Sequence, residues 1–182
     1  MPPSLLMQAT QDVWRILDAS GYPKAIAGGL ALSFWGYPRS TRDIDIAIVV
    51  KSKHDFFPLL SRAGLQPKKK SKDTTKLGFL EVSQWVYSIA ESYVDIDLDL
   101  LISDSPYFLN AIERAVSCSF AEISIDLKVL SCEDIIIFKA ISGRIIDQAD
   151  IQMLMSVNAS TLDYDYLSRK SEELEIRLYS TR

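Results

Sequence analysis

Histidine is nearly absent from this 182-residue chain, in which His54 is the single one. Zinc centres built from histidines are thereby excluded, and a Ser-His-Asp hydrolase is improbable. Cysteine occurs twice, at Cys118 and Cys132, without metal-ligand spacing. Structural disulfides are not expected, and a reducing, cytoplasmic setting fits. Glycine and proline occur seven times each, too rarely for a low-complexity or disordered chain. No apolar run approaches membrane-spanning length, and the strand-like runs carry aspartates, so no membrane association is expected. The opening MPPSLLMQATQDVW has neither a positive start nor a long apolar stretch, and does not read as a secretory signal. A metal site in such a chain must rest on carboxylates, which select a hard cation such as Mg²⁺.

Hydrophobic residues make up 48% and charged residues 24%, the balance of an ordinary globular domain. The length suits one domain over 1–182, with a core at about 24–130 and a helical C-terminal part at about 131–182. A formal net charge of −4 gives no support for extensive nucleic-acid contacts. Charge is uneven, however. Lys51, Lys53, Lys68, Lys69, Lys70, Lys72 and Lys76 form a local basic stretch that reads either as a solvated loop or as a polyanion contact.

The pattern along the chain is that of an α+β protein, a small mixed sheet flanked by helices. An amphipathic helix is expected over 5–19, with Leu6, Val13, Ile16 and Leu17 on its stripe and Trp14 at the edge. A short strand at 24–27 enters the turn Gly28-Gly29, and LALSFW continues as a short helix. Strands are expected at 43–50, 77–81, 84–89, 93–102, 120–123 and 127–130. Helices are expected at 54–63, 106–116, from CEDIIIFKAIS to Gly143, at 147–156 and at 163–179. The last carries Tyr164, Leu167, Leu174 and Leu178 on one stripe.

Chemistry concentrates in two strands. In Asp43-Ile44-Asp45 the carboxylates are two residues apart and face the same side, while Ile44 and Ile46 turn to the core. Adjacent carboxylates repel, and a strand that holds them so needs a compensating cation. The strand at 93–102 repeats the arrangement with Asp95, Asp97 and Asp99. Either strand alone could be half-exposed with solvated aspartates. Both together, beside a glycine turn that lets backbone N–H groups approach a phosphate, meet the requirement of two-metal phosphoryl transfer.

Ala27-Gly28-Gly29, thirteen intervening residues and Asp43-Ile44-Asp45-Ile46 resemble the signature of polymerase-beta-like nucleotidyltransferases. The fuller string GGLALSFWGYPRSTRDIDIAI resembles AbiEii-like and related bacterial toxin–antitoxin nucleotidyltransferases, with Gly36, Arg39, Thr41, Asp43 and Asp45 at the matching positions. Downstream, Asp99-Leu100-Leu101 is similar to the family's third-carboxylate strand, with Asp97 as the competing assignment. The segment SCEDIIIFKAISGRIIDQADIQML is similar to its helical motif, matching at Lys139, Arg144, Asp147 and Asp150.

The resemblance implies a nucleotidyltransferase that moves a nucleoside monophosphate from a nucleoside triphosphate to an acceptor hydroxyl. It implies two Mg²⁺ ions, or Mn²⁺ in their place, at Asp43, Asp45 and Asp99. Gly28, Gly29, Arg39, Thr41, Lys139 and Arg144 are the implied nucleotide contacts. Arg144 could instead pair with Asp147 or Asp150 to join two helices, and Arg39 and Thr41 could brace the loop. An RNA or tRNA end or a protein hydroxyl is the implied acceptor, and a cognate toxin or antitoxin an implied partner. The alternatives are an antibiotic-type enzyme with a small-molecule acceptor and a non-catalytic module that binds nucleotide or a partner.

Overall fold

A computed structural model describes residues 3–68, 74–90 and 92–178. Lys69, Lys70 and Lys72 of the basic stretch lie outside these residues. Helix α1 (Leu5–Asp18) begins where the Ser4 hydroxyl accepts the Met7 N–H at 3.3 Å, an N-cap that satisfies one otherwise orphaned donor. Its buried stripe is Met7, Thr10, Val13, Trp14 and Leu17, so Trp14 belongs to the core rather than to the helix edge. Strand β1 (Lys24–Ile26) leads directly into α2 (Gly28–Phe34). The two glycines are thus the first helical residues of α2 and not a turn preceding it, and Ala27 is the cap.

Strand β2 (Asp43–Ile48) returns antiparallel to β1, pairing Lys24 with Ile48 and Ile26 with Ile46. Helix α3 (Lys53–Arg62) follows, and Phe57 meets Trp85 edge-on at 5.4 Å, covering the apolar sheet face. Three strands then build one side of the sheet: β3 (Gln66–Pro67), β4 (Thr75–Leu77) and β5 (Leu80–Ser88). Both β3 and β4 pair with β5, opposite Trp85–Val86 and Leu80–Val82 respectively. The sequence pattern places two strands at 77–81 and 84–89. The chain instead turns at Gly78, whose φ of +59° a glycine adopts without strain, and then runs as one strand to Ser88.

Strand β6 (Asp95–Ile102) lies between β5 and β2, antiparallel to the first and parallel to the second. Helix α4 (Pro106–Glu113) ends three residues earlier than the pattern suggests, and Val116–Ser119 become β7. Strand β7 pairs residue by residue with β8 (Asp126–Val129), from Val116 opposite Val129 to Ser119 opposite Asp126. The strand expected at 120–123 is therefore the connection between them. The order across the sheet is β3, β5, β6, β2, β1, β8, β7, with β4 on the outer edge of β5.

Helices α5 (Cys132–Ser142), α6 (Ile145–Val157) and α7 (Tyr164–Glu173) complete the chain. Helix α5 is capped by Ser131 and stopped by Gly143 at φ +65°, a left-handed C-terminal residue. Helix α7 stops at Glu173, and it buries Tyr166 and Leu167 while Tyr164 is exposed. Cys118 and Cys132 are both buried and free. Among the described residues no helix is long and apolar enough to cross a membrane.

Candidate active site

The period of two along a strand divides β2 and β6 cleanly. Ile44, Ile46, Leu98 and Leu100 are fully buried on one face, and the aspartates share the other. Because β2 and β6 are parallel and in register, Asp43 stands beside Asp97 and Asp45 beside Asp99. Neighbouring strands are about 4.8 Å apart, so four carboxylates occupy one small patch of a single sheet face.

Each carboxylate has its own protein partner. The Thr41 hydroxyl donates to Asp43 at 2.5 Å, the Gln84 amide to Asp99 at 3.0 Å and the Lys68 ammonium to Asp97 at 2.6 Å. The Gly29 N–H donates to Asp45. Thr41 is thus a brace for Asp43, the first aspartate of β2. Gln84 had no signal in the sequence beyond its alternation with Trp85, and Lys68 stood there only as part of the basic stretch. The surroundings of the two candidates for a third carboxylate differ: Lys68 pairs with Asp97 at the exposed edge, whereas Asp99 meets a neutral amide beside Asp45.

The glycines are required for a spatial reason. A Cβ on Gly28 would lie 1.8 Å from Asp45 Oδ2, and one on Gly29 would lie 2.6 Å from the Thr41 side chain. Gly28 also has a φ of +55°. The carboxylate is pressed against bare backbone, and its proton affinity shows the consequence. Burial, then the charges of Asp43 and Asp99, push Asp45 up to about 7, against the opposing influence of Lys139 and the Gly29 N–H. Asp99 is raised too, first by burial and further by Asp43 and Asp97, with Gln84 opposing.

Such a set suits a divalent cation. Its donors are carboxylate oxygens, the hard ligands that Mg²⁺ prefers, and the crowding that raises the proton affinity of Asp45 is relieved by positive charge. Among the described residues no three histidine, cysteine, aspartate or glutamate side chains surround one point as a finished metal centre. Gathering Asp43, Asp45 and Asp99 about an ion requires rotation of Asp43 from Thr41 and of Asp99 from Gln84, each a side-chain movement.

The basic candidates lie at the junction of α5 and α6. Lys139 Nζ is buried, 3.0 Å from Asp147 Oδ1 and 2.7 Å from Asp150 Oδ2. Arg144 grips Asp147 with two bonds, 2.7 and 3.1 Å long. It therefore does tie the start of α6, although Lys139 and Arg144 also line the cavity beside the carboxylates. Arg39 is further away, with its Nε 3.7 Å from Asp150 Oδ1 and without a hydrogen bond. That cavity holds about 250 Å³, and Gly28, Asp45, Asp99 and Gln84 form its polar floor.

By sequence the chain matches no protein-family model and no curated protein. By structure it is similar to several solved proteins. JHP933 from Helicobacter pylori superposes with a TM-score of 0.53 at 17% identity, over 95% of this chain and 75% of that one. An antigenic nucleotidyltransferase-like protein from Paracoccidioides brasiliensis gives a TM-score of 0.51 at 17% identity, over 99% and 97% of the two chains. ANT(2″)-Ia, solved in complex with adenylyl-2″-tobramycin, gives 0.54 at 15% identity over 93% and 97%. These likenesses establish the polymerase-beta-like nucleotidyltransferase fold for this chain.

Proposed function

We propose that this protein is a divalent-metal-dependent nucleotidyltransferase that moves a nucleoside monophosphate from a nucleoside triphosphate to an acceptor hydroxyl. The observation that carries the reading is the side-by-side placement of Asp45 and Asp99 on parallel β2 and β6, at the floor of a cavity that Gly28 also lines. Asp43, Asp45 and Asp99 would hold Mg²⁺, or Mn²⁺ in its place, which when bound supplies charge stabilisation to the phosphoryl oxygens and acidifies an attacking hydroxyl. Gly28 gives the triphosphate close approach to the backbone, and Lys139 and Arg144 add positive charge at the cavity wall. In the reaction the acceptor oxygen bonds to the α-phosphorus as the bond from that phosphorus to the pyrophosphate oxygen breaks. Asp99, whose proton affinity is raised, takes the hydroxyl proton, and pyrophosphate leaves.

The acceptor reaches the carboxylates from the open edge where Lys68 meets Asp97. An RNA end or a protein hydroxyl is the acceptor we favour, because a macromolecule can present a hydroxyl there without entering the cavity. The similarity to ANT(2″)-Ia, solved in complex with adenylyl-2″-tobramycin, supports a tobramycin arm in the same assay. A cognate toxin or antitoxin partner, inferred from the sequence resemblance, is tested by co-purification.

The deciding experiment incubates the protein with each α-labelled triphosphate, Mg²⁺ and, separately, total RNA, total protein or tobramycin. Label should appear on one acceptor class with release of pyrophosphate. Asp45→Asn and Asp99→Asn should each lower transfer by about a thousandfold or more while circular dichroism is unchanged. Full transfer by Asp45→Asn would overturn the metal assignment.

A further inference from the structure

Asp43, Asp45, Asp97 and Asp99 stand side by side on β2 and β6 and repel one another, and the chain supplies its own cation to them. Among the described residues, the cation hydrogen-bonded to one of the four is Lys68, whose Nζ lies 2.6 Å from Asp97 Oδ2. Its charge is not confined to that partner. The ammonium holds its proton more firmly than a free lysine does, first through the bond to Asp97 and further through the charges of Asp97, Asp99 and Asp43, with burial opposing. Lys139 and Arg144 are committed elsewhere. Lys139 is held by Asp147 and Asp150, and Arg144 by Asp147, at the α5–α6 junction.

The edge of the sheet builds the reach of Lys68. The residue directly follows β3, and its backbone N–H donates to the Gln84 carbonyl at 3.1 Å. Strand β5 lies between β3 and β6, so the side chain crosses the face of β5 to meet Asp97 on β6. Gln84 serves both ends of the arrangement, since its side-chain amide holds Asp99. The strap is easily undone. Its two side chains are 44% and 47% exposed, and an exposed ion pair contributes little against a competitor. The flexible four-carbon stem turns into solvent without movement of the backbone.

We propose that the Lys68 ammonium is the resident counter-ion of this carboxylate cluster and is exchanged for a divalent cation when one binds, which opens the strap across β5. The assignment rests on the metal-dependent reading above. A divalent ion brings two charges and takes several oxygens at once, and it repels a neighbouring ammonium. Lys68 therefore sets the affinity of the cluster for the metal. Its release also uncovers Asp97 at the edge from which the acceptor arrives, so that metal loading precedes access to that edge.

The test titrates Mn²⁺ calorimetrically into wild type, Lys68→Gln and Lys68→Arg. It is paired with amine acylation of the wild type, read by mass spectrometry at Lys68 and, as a control, at exposed Lys128 on β8. Lys68→Gln should bind Mn²⁺ tighter than wild type by about threefold or more, because the competing charge is gone. Lys68→Arg, which keeps the charge, should gain nothing. Saturating Mn²⁺ should speed acylation of Lys68 severalfold and leave Lys128 unchanged. A residue that only ties the sheet edge would give Lys68→Gln equal or weaker Mn²⁺ binding. That result, a gain by both variants, or acylation of Lys68 indifferent to Mn²⁺ would each overturn the proposal and leave metal-dependent transfer standing. Absence of Mn²⁺ binding by wild type, with and without ATP, would remove the metal assignment and this inference with it.

Discussion

A methyl group at Gly28 meets Asp45 at 1.8 Å, while one at Gly21 meets nothing within 4 Å, yet both residues have positive φ, +55° and +69°. The pair separates backbone strain from steric displacement of a functional side chain. Gly21→Ala should cost about 1–2 kcal/mol, the strain of an L residue in the left-handed region, and leave transfer unchanged. Gly28→Ala carries the same strain and also displaces the Asp45 carboxylate, and a misplacement of about 1 Å costs on the order of a hundredfold in rate. Urea unfolding and the label-transfer assay on both variants check this. Equal activities would show that Asp45 is free to move. The shared face of Asp43 and Asp45 was legible in the sequence, because a strand's period of two needs no knowledge of its neighbours. The different surroundings of Asp97 and Asp99 were not, since they depend on Lys68 and Gln84, which the sheet brings in from other parts of the chain.

The α5–α6 junction shows what an element boundary does with charge. Asp147, in the first turn of α6, has no exposed side-chain surface and is held by Lys139 and by both bonds from Arg144. Burial alone would raise its pKa, but Arg144 and Lys139 outweigh it and bring the carboxyl down to about 2. The folded state therefore binds this proton less readily than the unfolded chain, whose value is 3.8. Its contribution is present in full above pH ~4 and disappears as pH falls through about 2. Asp147→Asn should lower stability at pH 7 by about 2 kcal/mol. The gap from wild type should close between pH ~4 and 2 in urea midpoints, and salt should reduce it partly, because Arg144 is 67% exposed. A gap independent of pH would assign the loss to packing. Both helices were readable in the sequence, since Ser131 and Gly143 are local capping signals. The β4–β5 hairpin was not, because Gly78 at a turn and Gly78 within a strand look alike until the pairing of Leu77 with Leu80 is known.

Assembly of the molecule depends on partners that no local pattern announces. The sheet order interleaves early and late strands, with β6 beside β2 and β8 beside β1, so fold class was legible and topology was not, apart from what family resemblance implied. The helices are joined to one another by a buried carboxylate that the sequence presents only as an acidic residue in the first turn of α5. Asp134 Oδ1 accepts from the hydroxyls of Tyr107 in α4 at 2.9 Å and Tyr166 in α7 at 2.7 Å. Its Oδ2 accepts from Ser131 at 2.7 Å and from Arg114 Nε at 3.2 Å. Removing this hub leaves two buried tyrosine hydroxyls without their acceptor, while Arg114 is 38% exposed and keeps Glu133 at 3.8 Å, so Asp134→Ala should cost about 2–4 kcal/mol, the range for orphaning buried hydroxyls. Tyr166→Phe removes one donor from an acceptor that keeps others, and should cost about 1 kcal/mol. Urea midpoints measure both, and amide exchange locates the effect: α7 should lose protection in Asp134→Ala before the strands do. Equal, small losses would mean that apolar contacts alone dock α7. The effect reaches the site because Asp134 lies in the first turn of α5, the helix that also carries Phe138 and Lys139. When α4 and α7 no longer hold that helix, the cavity wall loosens while Asp43, Asp45 and Asp99 stay fixed by the sheet. A rise in KM for the triphosphate that exceeds the fall in kcat is therefore expected of Asp134→Ala under conditions where it remains folded.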